Sequence, residues 1–219
     1  DNDNQAFLDD ISSDQDGNVT VSGWHASNQA ANKPYHYIIA YDRTIKQEIT
    51  RKQVTANQER PDVAKAFPMI ANAGIAGFNV SFKLTPQYAK DDIVFVSRWT
   101  TDPAGNGNAT DFWFNGLTKV NRANLDLWDL QNGGLHVTGW HADDASVYAP
   151  YHFLIVYDKT SNRQVGAQLI QNIASPDVQK VYGNDTRTAG KARFDVDLGK
   201  LPLEMGHTYA IVSRYSDVK

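Results

Sequence analysis

The sequence predicts an all-β protein: two tandem antiparallel β-sandwich (Ig-like) domains, residues 1–116 and 117–219, each carrying one short helix. Three observations predict it. Apolar residues alternate with period two in short runs bounded by Gly, Asn, Asp and Pro. The chain is internally duplicated at a constant spacing: Gly23-Trp24-His25-Ala26 returns as Gly139-Trp140-His141-Ala142, Pro34-Tyr35-His36 as Pro150-Tyr151-His152, and Tyr41-Asp42 as Tyr157-Asp158. The first copy holds seven expected strands, the number of a two-sheet sandwich of about 100 residues.

Strands are expected over 7–11, 19–24, 35–41, 48–54, 78–84, 93–99 and 110–114 in the first copy. In the second they are expected over 124–130, 135–140, 151–157, 164–170, 193–198 and 208–214. Asp16-Gly17-Asn18 and Asn132-Gly133-Gly134 supply residues that tolerate positive φ between the first two strands of each copy. The segment Pro61 to Phe67 reads as a helix with proline at its first position and Val63 and Phe67 on one face; Pro176 opens its counterpart. After its sixth strand the second copy shows nothing equivalent to Asp111-Phe112-Trp113-Phe114, so its seventh strand is expected either in further sequence or not at all. The opening Asp-Asn-Asp-Asn-Gln, without Met or a basic-then-apolar leader, suggests a piece of a longer protein. The join at 115–124 is too short for a loose tether, which predicts a semi-rigid end-to-end pair.

Composition narrows the function. Of 219 residues 41% are hydrophobic and 21% charged, and no apolar run approaches the roughly 18 residues of a membrane span, so membrane insertion is not expected. A net charge of -4 with scattered Lys and Arg argues against nucleic acid as a partner. With no cysteine, disulfides, thiolate metal sites and cysteine nucleophiles are excluded.

Several residues are candidates for ligand binding. Trp24 and Trp140 end the second strand of their copies, as core tryptophans or as platforms on which a sugar ring stacks. His25, His141 and the loop residue Asn28 would then hydrogen-bond sugar hydroxyls. Tyr35 and Tyr151 begin the central strand; His36 and His152 lie on its opposite face among aliphatic residues, the setting of hydrogen-bonded core histidines. Arg98 and Arg214 end apolar stripes and are expected to pair with a carboxylate, Asp42 or Asp62 for Arg98, or to recognise an anionic ligand. The four repeated histidines are expected to gain charge as pH falls through about 6.5. Asp14, Asp16 and Asn18 imitate the start of a calcium loop but lack its closing Glu, and read as a hairpin turn. Asp102, Asn106, Asn108 and Asp111 could surround a hard cation, though a mobile hairpin is the simpler reading. His25 and His36 could bind zinc only with a third ligand, which is not evident. No nucleophile elbow, zincin motif or phosphate loop is present, and no acid and base pair stands out, so neither catalysis, a metal nor a cofactor is expected.

The run GWHASNQAANKPYHYIIAYD, with RPDVAKAFP, GFNVSF and VSRWTTDPAGNGN after it, resembles repeat modules of secreted and cell-surface proteins of lactobacilli. Those modules accompany muramidase-type lysins and extracellular glucan-processing enzymes. The resemblance covers both copies and is weaker in the second after His141 and over 183–194. It implies an extracellular, cell-surface or cell-wall-associated monomer. The partner it implies is bacterial cell-wall polysaccharide or peptidoglycan, with host glycoprotein or mucin, or a bare spacer role, as alternatives.

Overall fold

A computed structural model describes residues 3–219, and by internal contacts they form two compact units. The first gathers the described residues up to Ile11 with Val19–Lys83 and Gln87–Leu117. The second gathers Ser12–Asn18, Leu84–Pro86 and Thr118–Lys219. Both are built from antiparallel sheets with little helix, as the alternating pattern predicts.

The first unit contains β1 (Asn4–Ser13) up to Ile11, β2 (Val19–Ser27), β3 (Tyr35–Asp42), β4 (Gln47–Gln53), α1 (Pro61–Ala66), β5 (Gly77–Phe82), β6 (Ile93–Thr100) and β7 (Ala109–Trp113). Its sheets run β1-β2-β5 and β4-β3-β6-β7. The second contains β8 (Asn121–Gln131), β9 (Gly134–Asp143), β10 (Tyr151–Asp158), β11 (Arg163–Ile170), α2 (Pro176–Tyr182), β12 (Arg193–Gly199) and β13 (Tyr209–Ser216). Its sheets run β8-β9-β12 and β11-β10-β13. The two orders match strand for strand except that, among the described residues, β7 has no counterpart beside β13.

Duplication extends to backbone detail. β3 and β10 each carry a register shift just before their last tyrosine, at Ala40/Tyr41 and Val156/Tyr157. Each is followed by a turn residue at positive φ, Lys46 at 57° and Asn162 at 58°. Gly23 is repeated as Gly139 because no side chain fits there: a Cβ would lie 2.2 Å from Phe7 O in one unit and 2.3 Å from Asn124 O in the other. Apolar side chains from both sheets of the second unit share one core, Leu135 and Val137 of β9 with Leu154 and Val156 of β10 and Phe194 of β12. The helices seal smaller clusters: Val63 packs with Ala26, Ile70 and Ala76, and Val178 with Ala142, Ala189 and Ala192.

The two cation-like loops are closed by their own backbones. Asp14 Oδ1 accepts from Asp16 N at 2.9 Å and Asn18 N at 3.0 Å, forming a turn. Asp102 accepts from Ala104 N and Asn106 N at 2.9 and 3.2 Å, so the hairpin between β6 and β7 is pinned from within. No described helix is long and apolar enough to cross a membrane.

Candidate functional site

The repeated histidines build one motif twice. His25 on β2 and His36 on β3 belong to different sheets and meet at a single hydroxyl, Ser97 Oγ of β6, 2.8 Å from His25 Nδ1 and 2.7 Å from His36 Nε2. Their outer nitrogens reach Asn4 Oδ1 at 2.7 Å and Asn57 Oδ1 at 3.0 Å. In the second unit Ser213 Oγ joins His141 Nδ1 and His152 Nε2, both at 2.6 Å, while Asn121 and Asn172 close the ends at 2.8 and 2.5 Å. His36 also stacks on Trp99, with centroids 4.0 Å apart, and meets Phe78 edge-on. The result is a buried polar bridge between sheets.

Proton counting fixes its state. A serine hydroxyl has one proton and here faces two imidazole nitrogens. Asn4 donates Nδ2 to Asp111 O at 3.1 Å, so its oxygen must accept from His25 Nε2. Ser97 then donates to His25, and His36 Nε2 donates to Ser97. With both rings neutral, the chain closes only if Asn57 turns its amide to donate to His36 Nδ1. In the second unit Asn172 is the pinned end, donating Nδ2 to Lys191 O and Tyr215 Oη at 3.1 and 2.8 Å, so the same bridge runs with opposite polarity. Burial pushes His25 down to about 3, helped by the charge His36 would carry, and pushes His36 and His152 down to about 4; burial also lowers His141. This corrects the expected charging near pH 6.5: that value belongs to solvated imidazole, and here the charged form loses its water.

The remaining candidates divide between framework and surface. Trp24 and Trp140 are half-buried against Phe67 and Tyr182, at 5.5 Å in both units, at the margins of the helix clusters. Asn28 ties down a neighbouring loop, donating to Met69 O and accepting from Ala71 N, both at 2.9 Å. Its counterpart Asp144 does the same more strongly, accepting from Thr118 N, Arg187 N, Thr188 N and Thr188 Oγ1. Arg98 does pair with a carboxylate, but it is Asp111 of β7, gripped by Nε and Nη2 at 2.7 and 2.8 Å. The expected partners lie elsewhere: Asp42 is buried and accepts from Thr44 N and Ile45 N, and Asp62 pairs with Arg60. Register decides the matter, because Arg98 stands directly opposite Asp111 and on the other face from Asp42.

That face is the surface best suited to a ligand. Opposite His36 and Ser97, the four-stranded sheet presents Tyr35, Tyr37, Ile39 and Tyr41 of β3, Val96 and Arg98 of β6, and Asp111 and Trp113 of β7. Tyr37, Ile39 and Val96 form a buried apolar strip flanked by the half-buried Tyr35 and Tyr41. Trp113 is 52% exposed and stands against the ring of Tyr41, edge-on with centroids 5.1 Å apart. The hairpin between β6 and β7 folds over one end: Tyr37 Oη donates to Pro103 O, and Arg51 donates to Ala104 O and Asn106 Oδ1. Arg51 also grips Glu48 with two donors, at 2.8 and 2.7 Å. An indole propped upright on the same strand face as Asp111, which grips Arg98, can stack on a ring and offer its N-H to a hydroxyl. Trp113 was missing from the sequence candidates, although its signal was present: in Asp111-Phe112-Trp113-Phe114 alternation must send the indole away from Phe114, which is 7% exposed. In the second unit Tyr151, Tyr157 and Arg214 occupy equivalent positions without a β7 or an indole beside them.

The second unit has histidines of its own. His136 lies between Asp195 and Asp197 at 2.8 and 2.6 Å, and His207 between Asp158 and Glu204 at 2.7 and 2.9 Å. A ring whose two nitrogens both face carboxylate oxygens must donate from both, so these bonds raise the histidine pKa. Asp158, Glu204 and His207 also converge closely enough to hold a metal ion, but an ion would have to displace one of the bonds that already satisfy the ring. Compared with known proteins, the chain matches no family model and no curated sequence.

Proposed function

We propose that this chain is a non-catalytic module that holds a secreted bacterial protein against peptidoglycan or a wall-associated polysaccharide outside the cell. In this reading it consists of two tandem Ig-like β-sandwich domains. The observation that supports it most is Trp113, half in solvent on a sheet face and held upright by Tyr41. Sugar rings present flat C-H faces that suit such an indole, and Asp111, two residues away on the same face of β7, holds Arg98 in a fixed position. The resemblance of the repeated motif to lactobacillar surface modules points the same way.

The experiment is sedimentation with purified Gram-positive cell walls, intact and stripped of teichoic acids and polysaccharide. The chain is expected to pellet with intact walls. Trp113→Ala is expected to weaken binding by about three- to tenfold, the equivalent of one aromatic contact, with thermal stability little changed. Equal binding by the variant, or pelleting only with host mucin, would contradict the proposal.

A further inference from the structure

The turn that follows the central strand differs chemically between the two copies. In both, a buried aspartate ends the strand and caps the turn. Asp42 Oδ1 accepts from Thr44 N and Ile45 N, and Asp158 Oδ1 accepts from Thr160 N at 2.9 Å and Ser161 N at 3.0 Å. The second oxygens differ. Among the described residues Asp42 Oδ2 has no hydrogen-bond partner, whereas Asp158 Oδ2 accepts from His207 Nδ1 at 2.7 Å. On the far side of that ring, Nε2 faces Glu204 Oε2 at 2.9 Å. Asp42 and Asp158 stand opposite Ile93 and Tyr209, so counting back along the chain puts Asp91 and Tyr88 at the positions of His207 and Glu204. The first copy makes the same turn with neither residue, so the turn itself does not require them.

A buried carboxylate on Nδ1, with Nε2 turned towards a second and exposed carboxylate, is how proteins prepare a histidine to ligate a metal: the inner acid fixes the tautomer and the ring orientation. We propose that His207 Nε2 and the Glu204 carboxylate bind a first-row divalent ion of the zinc type, with Asp158 as the positioning residue behind the ring and water in the remaining coordination places. The ion takes the place of the proton on Nε2, which leaves to solvent. One ring nitrogen and one oxygen of each carboxylate already lie within 4.8 Å of one another. A tetrahedral zinc site spaces two ligand atoms about 3.4 Å apart, so the exposed Glu204 has to open its present 2.9 Å only slightly. Of the charges that act on the ring, Asp158 and Glu204 attract a cation and Arg163 opposes it, which leaves the balance in favour of the ion. The imidazole selects zinc-like ions over calcium, which takes about six to eight oxygens. His136 offers no equal site, because both carboxylates around it, Asp195 and Asp197, are exposed and neither anchors the ring from within. The inference does not rest on wall binding.

Titration of ZnCl2 into the metal-free 219-residue chain at pH 7.5, followed by calorimetry, is expected to show one saturable site per chain with Kd of about 1–100 μM. Glu204→Gln is expected to weaken binding about tenfold or more, and His207→Gln to abolish it. Far-UV circular dichroism of both variants should match the parent, since the first copy builds the turn without these residues. In a long-range ¹H-¹⁵N spectrum of the imidazoles, zinc should move His207 and leave His136 in place. Three results would each overturn the proposal: no saturable binding, unchanged binding in the two variants, or zinc shifts at His136 and not at His207.

Discussion

Replacing Ser97 by Ala is expected to destabilise the first unit by about 2–4 kcal/mol, since two buried imidazole nitrogens lose their shared partner at about 1–3 kcal/mol per orphaned group. The hydroxyl itself is small; the loss comes from what it leaves behind. His25 and His36 are fully enclosed, so water cannot take the place of Ser97 without opening the space between the sheets. The same change at Ser213 should cost less, because His141 borders the open cavity and water can reach it. Urea unfolding followed through Trp99, which stacks on His36, measures the difference. A loss in Ser97→Ala below about 0.5 kcal/mol, the size of an ordinary surface substitution, would show that the bridge is not a structural joint.

Acid should act on the same joint. The folded histidines are held at about 3 and 4 in the first unit, whereas the unfolded chain titrates near 6.5. Between those values the unfolded state binds more protons, so stability is greatest above pH 6.5 and falls as pH drops towards 4. At pH 4 the loss is about 3 kcal/mol for each imidazole kept neutral by folding. His136 and His207 behave oppositely: the stability they add is complete below pH 6.5 and is lost as pH rises through their raised values. They sit only in the second unit, so the first unit should open first on acidification. Hydrogen exchange of β3 and β10 amides between pH 7 and pH 4 would show it; equal loss of protection in both would contradict the assignment.

The all-β antiparallel character was legible because alternation survives in almost every strand and turn residues mark the boundaries. β3 could be recognised as central, since apolar residues on both of its faces require cover on both sides. The histidines on β2 and β3 could be placed on neighbouring elements, but the third member of their bridge could not. Ser97 is an ordinary strand serine until the register sets it between two rings, and its repetition as Ser213 gave only a spacing. Arg98 misled for a related reason: Asp42 is repeated beside a tyrosine in both copies, but it lies on the opposite face, whereas Asp111 has no second-copy counterpart to draw attention. Trp113 escaped because an aromatic run suggests core, and only alternation separates the exposed ring from the two that face inward.

The most direct test of the central claim is an ¹⁵N-¹H correlation spectrum recorded while solubilised wall polysaccharide is added to the intact chain. The account predicts shifts at the Trp113 indole Nε1-H, at the Arg98 and Arg51 side chains and at the amides of β7, with the signals of His25, His36 and Trp99 unmoved. Shifts that skip this face, or a spectrum that does not change at saturating polysaccharide, would contradict it.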